Sequence, residues 1–63
     1  MTADQILAEI REANLSYLML AQSLIRADRE QALYRLGVGE ETATMIGALT
    51  PAQIMKIAQT NTL

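Results

Sequence analysis

Apolar residues in the first half of the chain recur at Ile6, Ile10, Ala13, Tyr17, Leu20, Leu24 and Ala27, in alternating steps of four and three. That spacing predicts one long helix carrying a heptad seam, with Ile10, Tyr17 and Leu24 at a and Ile6, Ala13, Leu20 and Ala27 at d. A second apolar set breaks the simple pattern. Leu15, Leu18 and Met19 fall at f, b and c, positions that a two-stranded coiled coil leaves in water, and Ala21 and Ile25 widen the apolar surface further. A helix apolar on every side has to be covered on every side. The stretch from Asn14 to Ile25 is therefore expected to need neighbours on opposite faces. The rest of one copy is too short to hide Leu15, Leu18 and Met19 together, so a second copy is expected to lend its short helices.

Capping signals divide the chain into four helices. Thr2-Ala3-Asp4-Gln5 reads as a capping box, Thr2 at the N-cap and Gln5 at N3, with Asp4 suited to the positive helix end. The first helix is expected over 3–27 and, at ~1.5 Å per residue, spans about 38 Å. Glu9, Arg11 and Glu12 read as its solvated face. Asp28 caps a second helix over 29–36, with Ala32, Leu33 and Leu36 inward. Gly37 ends it in the left-handed region, and Val38 is the apolar residue that follows such a cap. Gly39 opens a third helix over 40–47, with Glu40 and Glu41 in its first turn and Ala43, Ile46 and Met45 inward. Thr50-Pro51-Ala52-Gln53 opens a fourth over 51–59, which carries Ile54, Met55, Ile57 and Ala58. Asn61 reads as the left-handed residue closing it, and Thr62 and Leu63 read as interrupted, with more chain expected beyond them. The fold class is all-α: one long N-terminal helix followed by three short ones.

Composition turns this pattern into a question of assembly. The chain has 63 residues, 51% of them hydrophobic, which is one domain and too apolar for disorder. Ordering a chain costs roughly 1.5 kcal/mol per residue, and a core this small barely offsets it. Small domains recruit disulfides, metals or a partner chain, and with no Cys and no His here the partner chain is the open route. No signal-peptide succession is present, and the longest unbroken apolar run, Tyr17 to Ala21, falls far short of the ~20 residues of a membrane span. A net charge of −2 provides no general attraction to phosphate backbones.

The residue types that carry catalysis are missing. No His, Cys or Gly-rich phosphate loop is present, and the adjacent Glu40 and Glu41 point about 100° apart on a helix. Neither an enzyme nor a metal or cofactor site is expected. The segment Gln31 to Leu49 can be laid on a helix-turn-helix, with Ala32 and Leu33 in the first helix, Gly37 in the turn, and Ala43 and Ile46 inside the second. Its recognition helix would present Glu40, Glu41, Thr42 and Thr44 to DNA, with no Arg or Lys. Base readout relies on such cations, so the pair reads as helices that merely pack. Arg26, Arg29 and Arg35 read as surface ion pairs with Asp28 and Glu30. The methionines read as core filler. Tyr17 at a seam position needs a hydroxyl partner, which Ser16, Asn14 or Gln22 of another chain could supply.

The runs Asn14-Leu15-Ser16-Tyr17-Leu18, Leu20-Ala21-Gln22 and Leu24-Ile25, then Arg35-Leu36-Gly37, Glu41, Ala43-Thr44, Ala48-Leu49-Thr50 and the closing Thr60-Asn61 with Leu63, resemble the FlhD family of flagellar transcriptional activator subunits. The resemblance covers the chain from its first helix to its last residue. It implies an intertwined helical homodimer in the cytoplasm. It further implies a partner subunit, FlhC, in a hetero-oligomer that binds flagellar promoters and activates transcription. In that family FlhC carries the zinc site and much of the DNA contact, and a helix-turn-helix region follows the equivalent of Leu63. No DNA-binding residue is therefore assigned here.

Residues 1–63 are thus expected to form a helical dimerisation domain whose interface uses Ile6, Ile10, Ala13, Tyr17, Leu18, Leu20 and Leu24. The alternative is a freestanding helical interaction module with no part in transcription. Direct DNA binding through the helix pair is a third reading.

Overall fold

Residues 1–60 are described by the computed structural model, and Asn61, expected to close the last helix, lies outside them with Thr62 and Leu63. Four helices and no strand occur among the described residues: α1 (Ala3–Ala27), α2 (Arg29–Leu36), α3 (Glu40–Ala48) and α4 (Pro51–Gln59). The chain is all-α, as the apolar spacing predicts.

Local signals set the boundaries. The Thr2 hydroxyl accepts from the Gln5 amide at 3.2 Å while the Gln5 side chain accepts from the Thr2 amide at 2.9 Å, closing the expected box. Thr50 and Gln53 repeat it at 3.2 and 2.9 Å, with Pro51 in the first turn. Asp28 accepts from the Gln31 amide at 3.2 Å and starts α2 directly after α1. Gly37 holds φ +67°, and its amide donates to the Leu33 carbonyl. α3 runs one residue beyond the expected stop at Gly47, because glycine weakens a helix without ending it.

The short helices are organised by α1. It touches all three, α2 also touches α3, and α4 rests on α1 alone. Two buried clusters result. Ala21 and Ile25 of α1 meet Ala32 of α2 and Ala43 and Ile46 of α3, with Leu24, Leu33, Leu36 and Val38 packed around them. Leu18 meets Ile54 and Ala58 of α4, flanked by Leu15, Leu49 and Ile57. Among the described residues, four of the eight that are buried are alanine. Alanine lets helix axes approach closely, but it removes little apolar area from water.

One copy does not hide Leu15, Leu18 and Met19 together, as expected of α1, but it covers more of that face than the pattern suggests. Leu18 is only 3% exposed, and Leu15 is half-buried, both beneath the chain's own α4; Met19 stays exposed. One copy therefore shields most of the face thought to need a second copy. The reason is the two-residue link at Leu49 and Thr50, which folds α4 back onto α1. The methionines also depart from expectation. Met45 is 57% exposed, and Met1, Met19 and Met55 are exposed as well. Ala43 and Ile46 already fill the inner face of α3, so Met45 is turned outward.

Candidate functional site

At 100° per residue, Leu18, Ala21 and Ile25 form one stripe of α1, and the short helices bury it. The heptad seam lies beside this stripe, and there the chain offers no cover. Leu20 is 58% and Tyr17 44% exposed, and Ile6, Ile10 and Ala13 are exposed. Leu24 sits at the border, half-buried against the first cluster. Of the seven residues expected at a subunit interface, six share this edge of α1. Leu18 stands apart from them: it is 3% exposed, packed in the protomer's own core against Ile54 and Ala58.

The first half of α1 is a bare arm. Every residue from Met1 to Ala13 is exposed, including Ile6, Leu7 and Ile10. The molecule accordingly measures 40 × 22 × 16 Å, and its long dimension matches the ~38 Å of α1. At the other end of the seam an open apolar groove of about 430 Å³ runs between α3 and α4, which straddle α1 without packing on each other. Tyr17 and Leu18 belong to its α1 wall, Thr42 and Met45 to its α3 wall, and Ile57 to its α4 wall. A smaller groove of about 250 Å³ lies between Leu15, Met19 and Gln22 of α1 and Pro51, Ile54 and Met55 of α4.

Polar side chains hold the short helices in place. The α3 helix ends without a left-handed residue and without a basic side chain in its last turn. α1 supplies the missing donors. Gln22 Nε2 donates to the Ile46 carbonyl at 3.1 Å and the Leu49 carbonyl at 2.8 Å, and Arg26 donates twice to the Gly47 carbonyl, at 3.2 and 3.0 Å. Asn14 Nδ2 donates to the Ala58 carbonyl at 3.5 Å. Gln22 and Asn14 thus engage their amide nitrogens within their own chain, and their amide oxygens keep the capacity to accept from a neighbouring Tyr17 hydroxyl. This clamp was not foreseen, although the bare carbonyl end of α3 is a signal for it.

The arginines also pair differently from expectation. Arg29 Nε meets Glu40 Oε2 at 2.9 Å, its guanidinium also donates to the Glu40 carbonyl and the Thr44 hydroxyl, and Arg35 Nε approaches Gln31 Oε1 at 3.5 Å. Neither Asp28 nor Glu30 is their partner: Arg29 spans from α2 to the first turn of α3, where the Glu40 carboxylate, its carbonyl and the Thr44 hydroxyl converge. Glu40, Glu41, Thr42 and Thr44 are exposed on α3, so the α2–α3 pair presents acid and hydroxyl groups to a passing duplex. Among the described residues no group of three His, Cys, Asp or Glu side chains could hold a metal ion, and no helix is long and apolar enough to cross a membrane.

Comparison with known proteins gives a coherent result. The model of the family "Flagellar transcriptional activator (FlhD)" matches residues 1–63. A flagellar transcriptional regulator FlhD of Acidovorax sp. (strain JS42) is 59% identical over 63 residues, which is 100% of this chain and 58% of the relative. Its counterpart in Ralstonia nicotianae is 51% identical over 63 residues, covering 100% of this chain and 60% of the relative. The one in Nitrosomonas europaea is 52% identical over 63 residues, again 100% of this chain and 60% of the relative. The chain thus spans about three-fifths of the length of these relatives.

Proposed function

Since the chain belongs to the FlhD family of flagellar transcriptional activators, we propose that it is the dimerisation part of a cytoplasmic regulator that acts with FlhC to bind flagellar promoters and activate transcription. The family is one of transcriptional regulators and is not an enzyme class. The observation that carries the proposal is the uncovered seam. Ile6, Ile10, Ala13, Tyr17, Leu20 and the edge of Leu24 form a continuous apolar strip on one side of α1. In water such a strip is unfavourable at roughly 25 cal/mol per Å², and pairing with its own copy removes it. The strip has heptad spacing, which suits a helix partner.

In this reading the chain works by assembly. Residues 1–63 hold two copies together and position the FlhC subunit. They leave base readout to other parts of the complex, in keeping with the acidic outer surface of α3. Co-purification tests the partnership. Immobilised FlhC is expected to retain the wild-type chain, whereas the chain alone should not shift flagellar promoter DNA at low salt, even with Glu40→Gln and Glu41→Gln combined. A folded, dimeric chain that FlhC fails to retain would favour a freestanding interaction module. A shift by the chain alone would favour direct DNA binding.

A further inference from the structure

Three helices pack on α1, and the last of them is held differently from the other two. We infer that α4 is a strap that lifts from α1 as a single unit while α1, α2 and α3 stay packed. The inference concerns one copy of the chain and does not rest on the pairing proposed above.

The two buried clusters share no residue. The first ties three helices together through Ala21 and Ile25 of α1, Ala32 of α2, and Ala43 and Ile46 of α3. The second ties α4 to α1 through Leu18, Ile54 and Ala58. α2 and α3 touch each other as well as α1, whereas α4 touches α1 alone. Lifting α4 therefore opens one cluster and leaves the other whole. Apolar grooves undercut α4 on both flanks, one of about 430 Å³ beside Ile57 and one of about 250 Å³ beside Pro51 and Met55. Packing partners are missing along both of its edges, and the dispersion attraction they would supply is missing with them.

The polar links divide in the same way. Gln22 and Arg26 fasten the end of α3 to α1, and Arg29 fastens its first turn to α2. From α1, α4 receives the Asn14 bond to the Ala58 carbonyl, whose 3.5 Å length is at the limit of a hydrogen bond. No ion pair among the described residues reaches α4. Its capping box joins Thr50 to Gln53 and stays intact when the helix lifts. Gln22 also sets the pivot. Its grip on the Leu49 carbonyl at 2.8 Å pins the chain up to the short link at Leu49 and Thr50, and what swings lies beyond it. The lifted state uncovers Leu15 and Leu18 and merges the two grooves into one apolar trough along α1. A helix of nine residues is marginal without neighbours, so the amides of α4 lose their protection when it lifts.

Amide hydrogen exchange of the folded chain, followed by NMR and corrected for intrinsic rates, tests the inference. The amides of Ile54 to Gln59 are expected to share one protection factor, about tenfold or more below those of Leu18 to Ile25 in α1 and Ala43 to Gly47 in α3. Ile25→Val loosens the first cluster alone. It should speed exchange in α1 and α3 by roughly threefold or more and leave α4 within about twofold of wild type. Ile54→Val, at the strap's own anchor, should speed exchange in α4 by roughly threefold or more. Protection in α4 equal to that in α1 and α3 would overturn the inference. So would a rise in α4 on Ile25→Val that matches the rise in α1, because the chain then opens as one body. Protection that falls steadily from Ile54 to Gln59 would overturn it in favour of fraying from the helix end.

Discussion

Gly37 and Gly47 show how differently one residue type can matter. Gly37 holds φ +67° with open space around its α-carbon, so its role is conformational: an L side chain there costs about 1–2 kcal/mol. Gly47 lies within α3, where replacing glycine by alanine gains up to ~1 kcal/mol in helix propensity. A Cβ at that position would stand 3.2 Å from Ile25 Cγ2, inside the first cluster. The gain and the crowding oppose each other. Gly37→Ala is therefore expected to lower stability by about 1 kcal/mol or more, while Gly47→Ala stays within about 0.5 kcal/mol of wild type. Urea denaturation followed by circular dichroism checks both. Equal losses at the two sites would contradict the distinction.

At the scale of elements, the helix ends were legible and the helix faces were not. Thr2, Asp28, Gly37 and Thr50 act over three or four residues, so their meaning is contained in the local sequence, and each caps the helix expected of it. Which side of α1 the later helices choose depends on a long-range contact. The heptad set and the set containing Leu15 and Leu18 are both apolar, and periodicity alone ranks the first as the interface and the second as surplus. The fold-back of α4 decides which of the two is buried inside the protomer. The exposed Met45 was misread for the same reason, since Ile46 competes with it for the inner face. The Gln22 clamp is likewise long-range, joining α1 to carbonyls of Ile46 and Leu49. Removing it should matter more than removing the surface pair of Arg29 and Glu40. Gln22→Ala strands the part-buried Leu49 carbonyl, while the Ile46 carbonyl keeps its bond from the Leu49 amide, and is expected to cost about 1–3 kcal/mol, against about 0.2–1 kcal/mol for Arg29→Ala. Thermal unfolding of the two variants orders them, and a larger loss at Arg29 would show that the α2–α3 link dominates.

The whole molecule combines a protected stripe with an unprotected one on the same helix. α1 is the spine, the short helices cover Leu18, Ala21 and Ile25, and the strip from Ile6 to Leu24 is left for another helix. With half of the buried residues alanine among those described, the protomer's own core is thin, and covering the strip in a second copy would add to its stability as well as to its assembly. The two stripes should respond oppositely to substitution. Leu18→Ala opens a cavity under α4 and is expected to cost about 2–5 kcal/mol of folding stability. Leu20→Glu, at a position 58% exposed in the protomer, should act on association first. The most direct measurement is the solution mass of the unmodified chain beside Leu20→Glu, by light scattering at tens of micromolar. A wild-type mass of twice 6.9 kDa, reduced or lost in Leu20→Glu, is the expected result. A wild-type chain that is folded, helical and of single mass would contradict it.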